Sequence, residues 1–192
     1  RKPDHGGAIH LYIRAVEARS TDQAVEGADR LLSLMPAAGH MVHMPSHIYM
    51  GVGRYADAVR ANQLADAADD NYVAQCRAQG IYPLFYHRHN EHFIVWAAML
   101  EGNSATAMAA ARKIGQGLAP EMVAGPLAET IEHVLNQPLY VMTRFGRWKE
   151  ILAEPTPPAS FRFMTAIWHY ARGLALRQTG RLADAERELR AL

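Results

Sequence analysis

The chain has 192 residues, 49% of them hydrophobic, and a net charge of +1. This composition excludes a disordered chain, and the evenly spread charge leaves no broad electrostatic footprint for nucleic acid. The single cysteine, Cys76, excludes an internal disulfide framework and a Cys-rich zinc site, and the longest apolar run, 93–100, is too short to span a bilayer.

In chain order, His5-Gly6-Gly7 opens a first helix, and Ser20-Thr21-Asp22-Gln23-Ala24 forms the turn into a second. A sharper turn signature then recurs at Gly53-Arg54-Tyr55-Ala56-Asp57-Ala58, Gly146-Arg147-Trp148-Lys149-Glu150-Ile151 and Gly180-Arg181-Leu182-Ala183-Asp184-Ala185. Gly102-Asn103-Ser104-Ala105-Thr106-Ala107 is a looser copy. Each glycine supplies the left-handed conformation that ends one helix, and the apolar residue two positions on packs the corner. The small residue five positions on (Ala58, Ala107, Ala185) lets the paired helices approach closely.

Ala24 to Ala58 and Ile151 to Ala185 are each 34 residues apart. The middle spacings are longer, which predicts inserted loops or lengthened helices near 72–86 and 115–126. Pro83, Pro120 and Pro126 fall there as helix boundaries, and Pro155, Pro157 and Pro158 mark a further break. No stretch alternates with period two, so strands are not expected.

The five turns in phase, with the 34-residue period, resemble the tetratricopeptide-repeat family over most of the chain. The expected fold is all-α: a solenoid of about five antiparallel helix pairs in a single array over 1–192, with repeats at roughly 5–37, 39–71, 88–119, 132–155 and 160–192. The opening Arg1 and the helical pattern running to Leu192 read as truncations of a longer protein, whose cut ends would favour self-association. The resemblance implies a superhelix whose first helices line a concave groove, a surface that binds a peptide, a partner protein or a small molecule. No membrane association is expected, and the compartment expected is the cytoplasm.

The histidines hold a register against these turns. His40, His89 and His133 each lie 13 residues before a turn glycine, and His43 and His92 each lie 10 before. His47 lies 6 before Gly53, with Trp96 and Tyr140 at the same offset later in the chain. Offsets of three and seven residues return to one side of a helix, so His40, His43 and His47 share a face, as do His89 and His92. His10 joins this face, and Glu17 follows it two turns on. His5 is placed to reach over the helix end, His87 is out of phase, and His169 reads as a packing residue with one hydrogen bond.

Neutral imidazoles three or four positions apart on a helix can share one transition-metal ion, and a carboxylate can complete the set. The candidate ligands are therefore His40, His43, His47, His89, His92, His10, Glu17 and His133, for a divalent ion such as zinc, copper or iron. Trp96, Asn136, Tyr140 and Met50 would shape the groove. Two alternatives stay open: a metal-free groove that scaffolds a partner peptide, and histidines merely satisfied between helices. Of Met35, Met41, Met44 and Met50, which surround the His-rich segment, most read as core residues. The acidic pairs Asp69/Asp70 and Glu129/Glu132 read as helix ends or solvated faces.

The strings His5-Gly6-Gly7-Ala8-Ile9-His10-Leu11-Tyr12-Ile13 and Gly39-His40-Met41-Val42-His43-Met44-Pro45-Ser46-His47-Ile48-Tyr49 are similar to a bacterial and fungal subgroup of His-rich tetratricopeptide proteins. Tyr86 to Phe93 fits its third histidine motif. The subgroup's pattern expects Pro where Gly6 stands and His where Arg14 stands, and it implies no established reaction. No phosphate loop or nucleophile elbow is present, and Ser46, between two histidines, lacks any partner for an oxyanion hole.

Overall fold

A computed structural model describes residues 3–77, 81–116 and 128–192, with backbone alone over 81–87. The described residues are helical, with no strand among them. The chain divides into two compact units, Arg1–Asn103 and Ser104–Leu192.

The first unit contains α1 (Gly6–Val16), a 3-10 turn (Thr21–Ala24), α2 (Val25–Leu34), α3 (Gly39–His43), α4 (Pro45–Gly51), α5 (Tyr55–Cys76) and α6 (Ile81–Glu101). Each packs on its sequence neighbours: α1 on α2, α2 on α3 and α4, both of these on α5, and α5 on α6. His5 caps α1, its Nδ1 accepting from the Ala8 N–H at 3.1 Å. Ile9, Ile13, Ala28, Leu31, Met44, Ile48, Ala58 and Ala65 form the core.

Helices α3 and α4 are one helix interrupted at Met44, because Pro45 has no N–H to continue the ladder and clashes with the preceding turn. The second unit repeats this device. Its helices are α7 (Ser104–Lys113), α8 (Ala128–Leu135), α9 (Gln137–Arg144), α10 (Trp148–Ala153), α11 (Arg162–Gln178) and α12 (Leu182–Ala191). Asn136 interrupts the run from α8 to α9, and Pro138 lies in the first turn of α9. Both prolines stand eight residues before their turn glycine (53 − 45 and 146 − 138). In this unit α9 packs on α7, α10 and α11, and α11 packs on α8, α10 and α12.

All four turn glycines have the left-handed conformation expected of them: φ is +78° at Gly53, +88° at Gly102, +64° at Gly146 and +79° at Gly180. The residue after each glycine donates its N–H back to the helix it leaves: Arg54 to Tyr49, Asn103 to Ala98, Arg147 to Met142 and Arg181 to Leu176, at 2.8–2.9 Å. This is the hydrogen bond that closes a glycine-terminated helix. Arg54, Arg147 and Arg181 then pair with Asp57, Glu150 and Asp184 three residues on.

Several expectations resolve here. Much of the surplus near 72–86 lengthens two helices: α5 runs 22 residues to Cys76 and α6 runs 21 residues from Ile81, with Pro83 in the first turn of α6, where no hydrogen bond is lost, and 78–80 outside the described residues. Most of the second surplus, with Pro120 and Pro126, lies outside the described residues. Pro155, Pro157 and Pro158 separate α10 from α11 as anticipated.

Two acidic residues are not where their charge suggested. Asp69 is buried in α5, where Oδ2 accepts from Asn90 Nδ2 at 2.8 Å. Its carboxylate fills the space over Gly39, where a Cβ would stand 2.0 Å from Oδ1. Glu132 is also buried, and its Oε2 accepts from the Met164 N–H in the first turn of α11 at 2.8 Å. A buried carboxylate persists when donors replace its water, and helix ends and side-chain amides supply them.

Candidate metal centre

The first unit gathers histidines from three helices. His43 on α3, His47 on α4 and His89 on α6 place their ligand nitrogens within 4.8 Å of one another. Ring centroids lie 4.8 Å apart for His43–His47, 4.7 Å for His43–His89 and 6.2 Å for His47–His89. Phe93, one turn beyond His89, contacts all three rings at 4.7–5.0 Å and gives the cluster an apolar wall.

The outer nitrogens of two rings are already engaged. His43 is buried, and its Nδ1 lies 2.6 Å from Asn62 Oδ1. The Asn62 amide is oriented by its own Nδ2, which donates to the Ala58 carbonyl at 2.8 Å, so its oxygen must face the ring. His43 therefore carries its proton on Nδ1. His47 Nδ1 lies 2.7 Å from Glu17 Oε2. The ring N–H points off that line, so this is a charge–dipole contact rather than a straight hydrogen bond. A carboxylate oxygen at that distance still favours the proton on Nδ1.

Both tautomers leave Nε2 with a lone pair, and the two Nε2 atoms face each other at 2.9 Å. Two nitrogens bound to one tetrahedral ion stand about 3.3 Å apart, and on a square corner about 2.9 Å. The residues present thus fit a metal, and the acceptors behind the rings match the outer-shell pattern that orients metal-bound imidazole. His89 is the exposed member of the set.

Electrostatics keep the imidazoles neutral. Burial lowers the pKa of His43 well below its ordinary value, offset in part by the Asn62 hydrogen bond. Burial brings His47 down to about 4 against the opposing pull of Glu17, with Arg14 adding to the fall. Burial and then the Arg14 charge lower His89, and burial and His10 lower His40.

The remaining candidates separate from this trio. His10 and His40 pair with each other, Nε2 to Nε2 at 3.2 Å, at the flank of the cluster. The His40 ring stacks at 6.2 Å from His43. His92 is turned to Trp96 instead: its Nε2 accepts from the indole N–H at 2.6 Å, which commits that nitrogen. Met50 lies half-buried on α4. His133, Asn136 and Tyr140 belong to the second unit. There the His133 ring meets Tyr140 and Phe163 at 5.9 and 6.2 Å, and burial raises the Tyr140 pKa. Asn136 is fully buried, with neither amide atom hydrogen-bonded. His169 packs edge-on to Trp168 and meets Glu188 at 2.6 Å. The His87 side chain lies outside the described residues.

Sequence reasoning missed Asn62 and Phe93. A signal for Asn62 existed: Ala58, Asn62, Ala65 and Asp69 follow one another at helical spacing on the buried face of α5. A polar residue on an alanine-rich inner face must have a buried partner. Phe93 gave none, since an aromatic in an apolar run reads as core. Among the described residues, no helix is long and apolar enough to cross a membrane. Compared with family models, curated proteins and solved structures, the chain has no match.

Proposed function

We propose that this protein binds one divalent transition-metal ion through His43, His47 and His89, with Asn62 and Glu17 orienting the first two rings. The observation that carries this reading is the 2.9 Å approach of two Nε2 atoms whose Nδ1 positions face an amide oxygen and a carboxylate. Two lone pairs directed at each other repel, and a cation between them converts the repulsion into coordination. Three imidazoles leave positions open for an external ligand, as catalytic and transport sites do. An all-nitrogen set suits zinc, copper or iron. Bound there, the ion would supply Lewis acidity at an exposed edge of the cluster.

The surrounding array is read as a tetratricopeptide-like solenoid of about five helix pairs, whose first helices carry the ligands. Supporting it are the four equivalent glycine turns and the matched prolines of α4 and α9.

The test is elemental analysis of untagged protein beside a His47→Ala/His89→Ala variant. Near-stoichiometric metal in the parent, lost in the variant, is expected. No metal after incubation with zinc, copper(II) and iron(II) overturns the reading and leaves a metal-free peptide groove in its place.

A further inference from the structure

Helix α6 carries two large apolar side chains on the side turned away from the core. Ile94, Val95, Ala97, Ala98 and Met99 are buried, whereas Trp96 and Leu100 are 43% and 47% exposed. The exposed pair continues a line that begins at a proposed ligand. His89, Phe93, Trp96 and Leu100 follow one another at spacings of four, three and four residues, which keeps them on one face of the helix. Phe93 touches the rings of His43, His47 and His89, so this line starts inside the ligand cluster.

We infer that the His43–His47–His89 centre takes an aromatic small molecule bearing an oxygen donor, with the donor on the ion and the ring against the indole of Trp96. This rests on the metal reading above.

Geometry supports it first. Trp96 stands seven residues beyond His89, about 10.5 Å along the helix. Its side chain leans back toward the helix N-terminus, since its indole N–H reaches His92 Nε2, one turn earlier, at 2.6 Å. The distance left to the cluster suits one aromatic ring on a short arm. The hydrogen bond also holds the indole by its edge, perpendicular to the His92 ring. A ring fixed in advance loses little freedom when a second ring stacks on it. Size is the second support. From His89 to Leu100 the strip is about 16 Å long and about 10 Å wide. That is far below the roughly 800 Å² per side of a stable protein interface, so the strip suits a small molecule rather than a partner protein or a second copy. Chemistry is the third. An ion held by neutral nitrogens keeps its positive charge and favours an oxygen donor. A lone exposed leucine is ordinary, but an exposed tryptophan pinned in line with a ligand histidine marks a contact surface.

The experiment uses the full chain loaded with cobalt(II), whose visible bands report the ion's ligands. Acetohydroxamate and benzohydroxamate, which share a donor group, are titrated in turn into the parent, Trp96→Ala and Trp96→Phe. The ratio of the two dissociation constants within one protein cancels any change in the ion itself. Benzohydroxamate should bind the parent more tightly than acetohydroxamate. This advantage should fall about three- to tenfold in Trp96→Ala, the loss expected for an aromatic contact, with Trp96→Phe between them. Bands indifferent to both compounds, no preference for the aryl compound in the parent, or an equal ratio in Trp96→Ala overturn the inference while the metal reading stands. Loss of cobalt from Trp96→Ala also overturns it, since Trp96 would then support the centre itself. Absence of cobalt bands in the parent removes the metal reading and this inference with it.

Discussion

His43 Nδ1 and Asn62 Oδ1 meet at 2.6 Å inside the first unit, on helices α3 and α5 that are packed together. Through this one bond the helix behind the cluster sets the tautomer of a ring in front of it. Asn62→Ala should therefore weaken zinc binding about 10–100-fold while removing no ligand. It should also cost about 1–3 kcal/mol of stability, because a buried ring N–H loses its acceptor. Competition against a chromophoric chelator checks the first figure and urea denaturation the second. Unchanged affinity would detach Asn62 from the site.

Metal binding to the folded state alone must raise stability. With free zinc at one hundred times its dissociation constant, the gain should be about 2.7 kcal/mol. Thermal melts should show it in the parent and not in His47→Ala/His89→Ala. An equal shift in both proteins would place the ion elsewhere.

Glycines at two kinds of position should respond differently to alanine. Gly53 is left-handed with open space around it, so Gly53→Ala should cost only the backbone penalty of about 1–2 kcal/mol. Gly39→Ala drives a methyl into the buried Asp69 carboxylate and should cost more, with altered packing of α3 on α5. Equal costs from denaturant titration would contradict this.

Glu132 accepts from the Met164 N–H in the first turn of α11. Glu132→Ala should lower stability by about 1–2 kcal/mol, the usual loss for a helix cap. Hydrogen exchange should quicken at Met164 before it does at the core of α11. Protection unchanged at Met164 would show that the cap contributes nothing.

Glu188 couples α12 to α11 through His169 and Arg172. Burial alone would raise its pKa, but the hydrogen bonds from His169 and Arg172 outweigh it, and the net shift is downward. A depressed carboxylate contributes stability above its unfolded value of 4.5, lost as pH falls through the lower folded value. Glu188→Gln should thus be less stable than the parent at neutral pH, with the difference shrinking in acid. A difference constant down to pH 3 would refute the assignment.

The sequence by itself determined what is local. A glycine in a left-handed turn, a proline that interrupts a helix and a histidine offset of three or four residues each depend on backbone conformation a few positions away. The four turns and the shared side of His43 and His47 were therefore legible. Distances between helices are not local. The sequence grouped eight ligands by register, but register cannot say which ring nitrogen is already spent. Only packing turned His92 to Trp96, paired His10 with His40, and brought His89 to His43 from a helix more than forty residues on. Only packing, too, buried Asp69 and Glu132, because a charge leaves water only where distant donors meet it, and Asn90 and the start of α11 are such donors.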